Sequence, residues 1–287
     1  MSHCSAQLSD LLDSAATAPP ARNPSIRVVI SDIEGCLNLN ERVYDYAALD
    51  LIRRANQAAW ARLPHRCATP LITIASGRQA SFVEAFSAFI ASPLPAIFEG
   101  GAGIFNRRAA VGRRHELLPV DDSALAAARD VVASVAKRFT ATTSMGKVLL
   151  MTLHPKPSAS SEELAGHIRN ALDAAGLAME VSFSKSAVDI APPGVSKGSA
   201  LSWLLQRLPP EVGKPVSIEE TLTVGDSDGD RAMLRRSGFS AVPANASADV
   251  KLTAGYVSSC SDGEGVADII ARAICWNLGK LDHWETQ

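Results

Sequence analysis

The residues with chemistry in them fall at four stations along the chain. Asp32 and Glu34 stand one residue apart at the end of the apolar run IRVVISDIEGCL, residues 26–37, and Gly35 follows them. Ser76, Gly77 and Arg78 close PLITIASGR, Lys197 opens KGSALSWLLQRL, and Asp226, Asp228 and Asp230 follow TLTV in TLTVGDSDGD. Clustered carboxylates suit a hard, oxygen-seeking cation such as Mg2+. A hydroxyl, a helix N-terminus and a lysine suit a phosphate. Brought to one place, these groups make a metal-assisted phosphoryl-transfer site.

The elements that must position them read as alternating strands and helices. IRVVISD, PLITIAS (70–76), PAIFEGGA (95–102) and TLTV are continuous apolar runs rather than alternating ones. Segments 46–60, 77–91, 197–208 and 263–278 have helical character. Continuous apolar strands separated by helices predict a doubly wound, Rossmann-like parallel sheet in an α/β fold, covered on both faces. In such a sheet, ligands bind at the carboxyl ends of the strands, where all four stations fall.

The middle of the chain reads differently. GIFNRRAAVGRRHELL predicts an edge hairpin, and residues 121–139 an amphipathic helix capped by Asp121 or Asp122. KVLLMTLHP reads as a strand, and 158–176 as a second helix with Ser160 and Glu163 spaced as a capping box. MEVSFSKSAVDIAPP supplies further strands. Residues 106–188 are therefore expected to form a smaller α/β domain, inserted into a core made of 26–105 and 189–287. Residues 1–25 read as a flexible lead-in.

Composition narrows the function classes. The chain has 287 residues, about twice a typical domain, which leaves room for two domains. A net charge of −2 provides no basic field for nucleic acid and no polybasic membrane patch. No apolar run reaches the roughly 18–20 residues of a membrane span. The N-terminus lacks a basic stretch ahead of an apolar one and does not read as a signal peptide. The five cysteines, Cys4, Cys36, Cys67, Cys260 and Cys275, are odd in number and scattered, so reduced thiols in a cytoplasm are the expectation. The histidines show no metal-binding spacing.

In order, S-D-I-E-G-C-L, I-A-S-G-R, G-V-S-K-G-S-A-L and V-G-D-S-D-G-D resemble the four motifs of the haloacid dehalogenase superfamily of phosphatases. The resemblance covers about residues 26–278. The insert between the second and third motifs resembles that superfamily's larger α/β cap, the type IIB cap of Cof-like and sucrose-phosphate phosphatases. F-E-G-G-A-G-I is similar to the E-N-G-A stretch that precedes such caps. The resemblance implies that Asp32 is the nucleophile, forming an aspartyl-phosphate. Glu34 stands at the place of the family's general acid/base aspartate, with its backbone carbonyl on Mg2+. Ser76 and Lys197 would hold the phosphoryl oxygens, with Gly77 and Arg78 beside them. Asp226 would ligate the metal, and Asp230 would assist it directly or from behind.

Each residue also has a plainer reading. Ser76 would serve equally as a helix cap, and Arg78 as a surface ion pair. Asp228 reads as a solvated loop residue. Three departures from the family pattern stand out: Glu34 for aspartate, and Gly100 and Gly229 for asparagine. Glycine keeps asparagine's tolerance of positive φ, so the turns are expected to survive while the amide hydrogen bonds are lost. The function expected from the resemblance is a Mg2+-dependent phosphatase acting on a small phosphorylated metabolite, a sugar phosphate by analogy with the cap type. The alternatives are a weakened relative that binds a phosphorylated ligand, and a phosphotransferase or mutase. Lys147, Ser182 and Lys185 are candidates for cap residues that face substrate.

Overall fold

Three four-residue strands with no exposed position form the centre of the protein: Val28–Ser31, Leu71–Ile74 and Thr221–Val224. The computed structural model describes residues 3–39, 43–64, 66–110, 114–184 and 186–285. Val28–Ser31 is the middle strand, parallel to both others, and Phe239–Val242 and Tyr256–Val257 complete a five-stranded parallel sheet. Side chains alternate across it. Val29, Ile72 and Leu222 pack with the helices Tyr46–Trp60 and Asp262–Asn277 on one face, while Val28, Ile30 and Leu71 pack with Lys197–Leu205 on the other. This is the doubly wound α/β core expected from the continuous apolar runs.

The register aligns the strand ends. Ser31 sits opposite both Ile74 and Val224, so the chain leaves all three strands at one level. Asp32, Ser76 and Asp226 lie one or two residues beyond that line, at one edge of the sheet.

A second sheet runs Glu180–Phe183, Val188–Ala191, Met151–His154, Thr142–Thr143, all antiparallel. The helices Asp122–Phe139 and Ser161–Ala174 supply its separate hydrophobic core, in which Leu125, Val132, Leu164 and Ile168 meet Leu153 and Ile190. Asp121 caps the first helix, accepting from the Ser123 and Ala124 N–H groups. Ser160 caps the second, but the Glu163 side chain does not reciprocate, so that cap is one-sided. The predicted hairpin forms from Gly103–Phe105 and His115–Leu117, beside Ala96–Phe98.

Two expectations are overturned at the N-terminus. His3–Ala15 is a helix, not a lead-in, because Leu8 and Leu12 are buried in the core packed by Asp262–Asn277. That docking brings Cys4 against Cys260, and the two form a disulfide; only Cys36, Cys67 and Cys275 are free thiols. Cys4 and Cys260 are 256 residues apart, and scattered spacing alone cannot reveal a pairing made by helix docking. No helix among the described residues is long and apolar enough to cross a membrane.

Candidate active site

Asp32 ends the central strand and is almost fully buried. Its backbone N–H still donates into the sheet, to the Val224 carbonyl at 2.8 Å, and its Oδ1 accepts from the Ile33 N–H at 2.7 Å. Lys197, the first residue of its helix, donates from Nζ to Asp32 Oδ1 and to Asp230 Oδ1, each at 2.7 Å. The helix start is fixed by a reciprocal cap between Ser196 and Ser199, at 3.0 Å in each direction. Asp230 is completely buried, and its Oδ2 accepts from the Asp226 N–H, the Ser227 N–H and the Ser227 hydroxyl, all at 3.0 Å. Asp230 therefore orients Lys197 with one oxygen and folds the Asp226 loop with the other.

Asp226 reaches back over Gly35. Gly35 has φ +74°, and a Cβ there would lie 2.2 Å from Asp226 Oδ2. Only glycine permits both the left-handed turn and this approach. The turn is pinned on both sides, by Asn38 Oδ1 accepting from Gly35 N–H and by Asn245 Nδ2 donating to the Gly35 carbonyl.

Carboxylate oxygens of Asp32, Asp226 and Asp230 come within 4.8 Å of one another. Three carboxylates around one ammonium leave an excess of negative charge in a buried place. Burial and Asp230 push the Asp32 pKa well up, with Lys197 opposing. Burial and then Asp230 push Asp226 up to about 7. Burial works against the Lys197 charge, but Asp230 and Asp32 outweigh it and raise its pKa. A site so crowded with carboxylates, with one lysine to balance them, fits a hard divalent cation.

Glu34 turns the other way. Ser76 donates its hydroxyl to Glu34 Oε2 at 3.2 Å, and Arg78 Nε is ion-paired with Oε1. Ser76 also accepts from the Arg78 N–H at 3.1 Å, but this is a local turn ahead of the helix Ala80–Phe89, whose N-cap is Gln79, so Ser76 does not cap that helix. Gly77 lines the same cavity. Asp228 pairs with Arg231 at 3.1 Å near the rim, as a solvated loop residue would. The two unusual glycines differ. Gly100 has φ +66° and keeps the turn that asparagine would make. Gly229 is not in the left-handed region, so positive φ does not account for it.

The cavity above these residues measures about 550 Å3 and is roofed by the second sheet. Met151, Leu153, Val188 and Ile190 of that sheet face its own core, so the alternate positions Thr152, His154 and Asp189 face the cavity. Asp189 lies directly opposite Thr152 in the register and accepts a hydrogen bond from its hydroxyl. Of the cap candidates, Lys147 and Ser182 line the cavity and Lys185 lies outside the described residues. Thr152, His154 and Asp189 carried a usable signal in the sequence, being polar positions that alternate with apolar ones. Glu99, whose carboxylate accepts from the Val148, Leu149 and Leu150 N–H groups, lies in the F-E-G-G-A-G-I stretch that the resemblance marked, but nothing in that stretch pointed to those partners.

Comparison with known proteins agrees with this geometry. The model of the haloacid dehalogenase-like hydrolase family matches residues 124–270. A phosphoglycolate phosphatase of Methanothermobacter thermautotrophicus is 33% identical over 98 residues, 34% of this chain and 42% of that protein, so less than half of that relative is matched. A phosphoglycolate phosphatase of Thermoplasma volcanium is 23% identical over 250 residues, 86% of this chain and 97% of that protein. The sucrose-phosphatase of Synechocystis, solved with sucrose and phosphate, shares the fold with a TM-score of 0.61 at 17% identity, over 87% of this chain and 98% of that one. With the family model covering half of the sequence, the chain belongs to the haloacid dehalogenase-like hydrolases.

Proposed function

We propose that the chain is a Mg2+-dependent phosphatase that hydrolyses a small sugar phosphate through an aspartyl-phosphate on Asp32. The observation that carries this reading is the buried Asp32–Lys197–Asp230 contact at the end of the central strand. Asp32, Asp226 and the backbone carbonyl of Glu34 would hold the cation, with Asp230 behind them. Bound there, Mg2+ would neutralise charge on the phosphoryl oxygens.

Asp32 attacks phosphorus and takes the phosphoryl group. Lys197 and the Ser76 hydroxyl hold its oxygens. Glu34 gives a proton to the departing sugar oxygen, then takes one from the water that cleaves the aspartyl-phosphate. The cap block, roughly 106–188, closes over the site during the first step and admits water for the second. A cavity of about 550 Å3 has the size of a small-molecule site. Its roof of hydroxyls and carboxylates suits a polyhydroxylated leaving group. Five of the matched relatives are named phosphoglycolate phosphatases, so 2-phosphoglycolate is the competing substrate.

The test is a panel of sugar phosphates and 2-phosphoglycolate, with and without Mg2+, on wild type and Asp32→Asn. Asp32→Asn keeps the shape but removes the nucleophilic charge, and kcat should fall by about 10³-fold or more while the melting temperature holds. Near-normal turnover by Asp32→Asn excludes the aspartyl-phosphate. A preference for 2-phosphoglycolate excludes the sugar reading.

A further inference from the structure

Glu99 belongs to none of the four stations, yet it is completely buried and holds three parts of the molecule at once. Its backbone has φ 47°, a left-handed conformation that a non-glycine residue keeps only where its surroundings fix it. Its N–H donates to the Arg78 carbonyl at 2.9 Å, and the next N–H, of Gly100, donates to the Ser76 carbonyl at 3.0 Å. Its side chain crosses to the cap. Glu99 Oε1 accepts from the Val148 N–H at 2.9 Å, and Oε2 accepts from Leu149 at 2.7 Å and Leu150 at 3.0 Å.

Three consecutive N–H groups converging on one carboxylate are incompatible with an extended strand, in which successive groups point to opposite sides. This explains why KVLLMTLHP becomes a strand only at Met151. The residue just before the gripped segment is Lys147. Its side chain is only 7% exposed, faces the cavity, donates to the Thr152 hydroxyl and lies 3.8 Å from Asp189.

We propose that Glu99 is a positioning residue that sets the register of the cap against the phosphate-binding strand end. Its grip on Val148–Leu150 fixes where Lys147 presents its ammonium to the oxygen-rich, non-reacting part of the substrate. The Lys147 half rests on the cavity being a substrate site, as proposed above; the grip itself does not.

The variant is Glu99→Gln, which keeps the size and puts an NH2 group among N–H donors. Two readouts need no turnover: amide hydrogen exchange across 147–150, and the rate at which an amine-acetylating reagent labels Lys147. Losing a charge-assisted bond should speed both about tenfold, with strand Val28–Ser31 and the other lysines unchanged. With glucose 6-phosphate as the probe, KM should rise about tenfold at nearly constant kcat. Lys147→Met should raise KM similarly, and the double variant should be no worse than Lys147→Met alone. Should Glu99→Gln fail to fold, Glu99→Asp, which keeps the charge and shortens the reach, takes its place with the same readouts. Unchanged exchange and labelling overturn the proposal, as do KM effects that multiply in the double variant. If wild type turns over none of the phosphate esters, the phosphatase reading fails, while exchange and labelling still decide the role of Glu99.

Discussion

Gly35→Ala tests whether the first and fourth stations share one pocket. A Cβ at Gly35 would lie 2.2 Å from Asp226 Oδ2 and 2.5 Å from its Cγ, where 3.0 Å is the closest approach a real Cβ makes. Something must therefore move by at least 3.0 less 2.2, or 0.8 Å. The turn is held at both ends by Asn38 and Asn245, so the Asp226 carboxylate is the part that yields. A misplacement of about 1 Å in a reacting constellation costs about 10²-fold in rate. The left-handed conformation costs an alanine about 1 kcal/mol, which lowers the melting temperature by roughly 2–4 °C in a chain of this size. The assay is kcat/KM for p-nitrophenyl phosphate across a Mg2+ titration, alongside calorimetry. We expect a loss of about 10²-fold, a higher half-saturating Mg2+ concentration, and a fold that is nearly intact. Magnesium curves that overlay those of wild type, with normal turnover, would refute the shared pocket.

Lys197→Met leaves Asp32 and Asp230 in contact with no ammonium. Removing one partner of a buried ion pair costs roughly 3 kcal/mol or more, which is a melting temperature lower by about 6–12 °C. The Asp32 pKa, already raised by burial and Asp230, loses the charge that opposes the rise. A carboxyl with a raised folded pKa binds more protons folded than unfolded, so stability falls as pH rises. The metal-free variant should accordingly regain stability as the pH is lowered towards the ordinary carboxylate range, and a pH-independent deficit would contradict the charge argument. Glu34→Asp shortens the side chain by one methylene, about 1.5 Å, and loses both Ser76 and Arg78. Activity on a sugar phosphate should fall by roughly tenfold or more; a rise would mean that Glu34 acts as a brake.

The sequence by itself determined the core and which residues gather at the ends of its strands. Val28–Ser31, Leu71–Ile74 and Thr221–Val224 carry only aliphatic residues and the small hydroxyl residues Ser31, Thr73, Thr221 and Thr223, all buried, and a parallel sheet covered on both faces requires such uncharged runs. Once those strands are parallel and in register, Asp32, Ser76 and Asp226 must emerge together, because each lies just beyond its strand end. Lys197 joins them because its helix packs on the same sheet. The helix over 46–60 was legible to the residue, with Asp45 capping it. Tertiary structure decided the rest. Glu99 bonds amides 49–51 residues away, and Cys4 meets Cys260 across 256 residues. Asp189 finds Thr152 only when two antiparallel strands choose their register. The reason Glu34 reaches Ser76 and Arg78 lies in the gap between two strand ends, which no local spacing expresses. Periodicity records which face of an element is buried, but it does not record which distant group will meet a side chain once that face has docked.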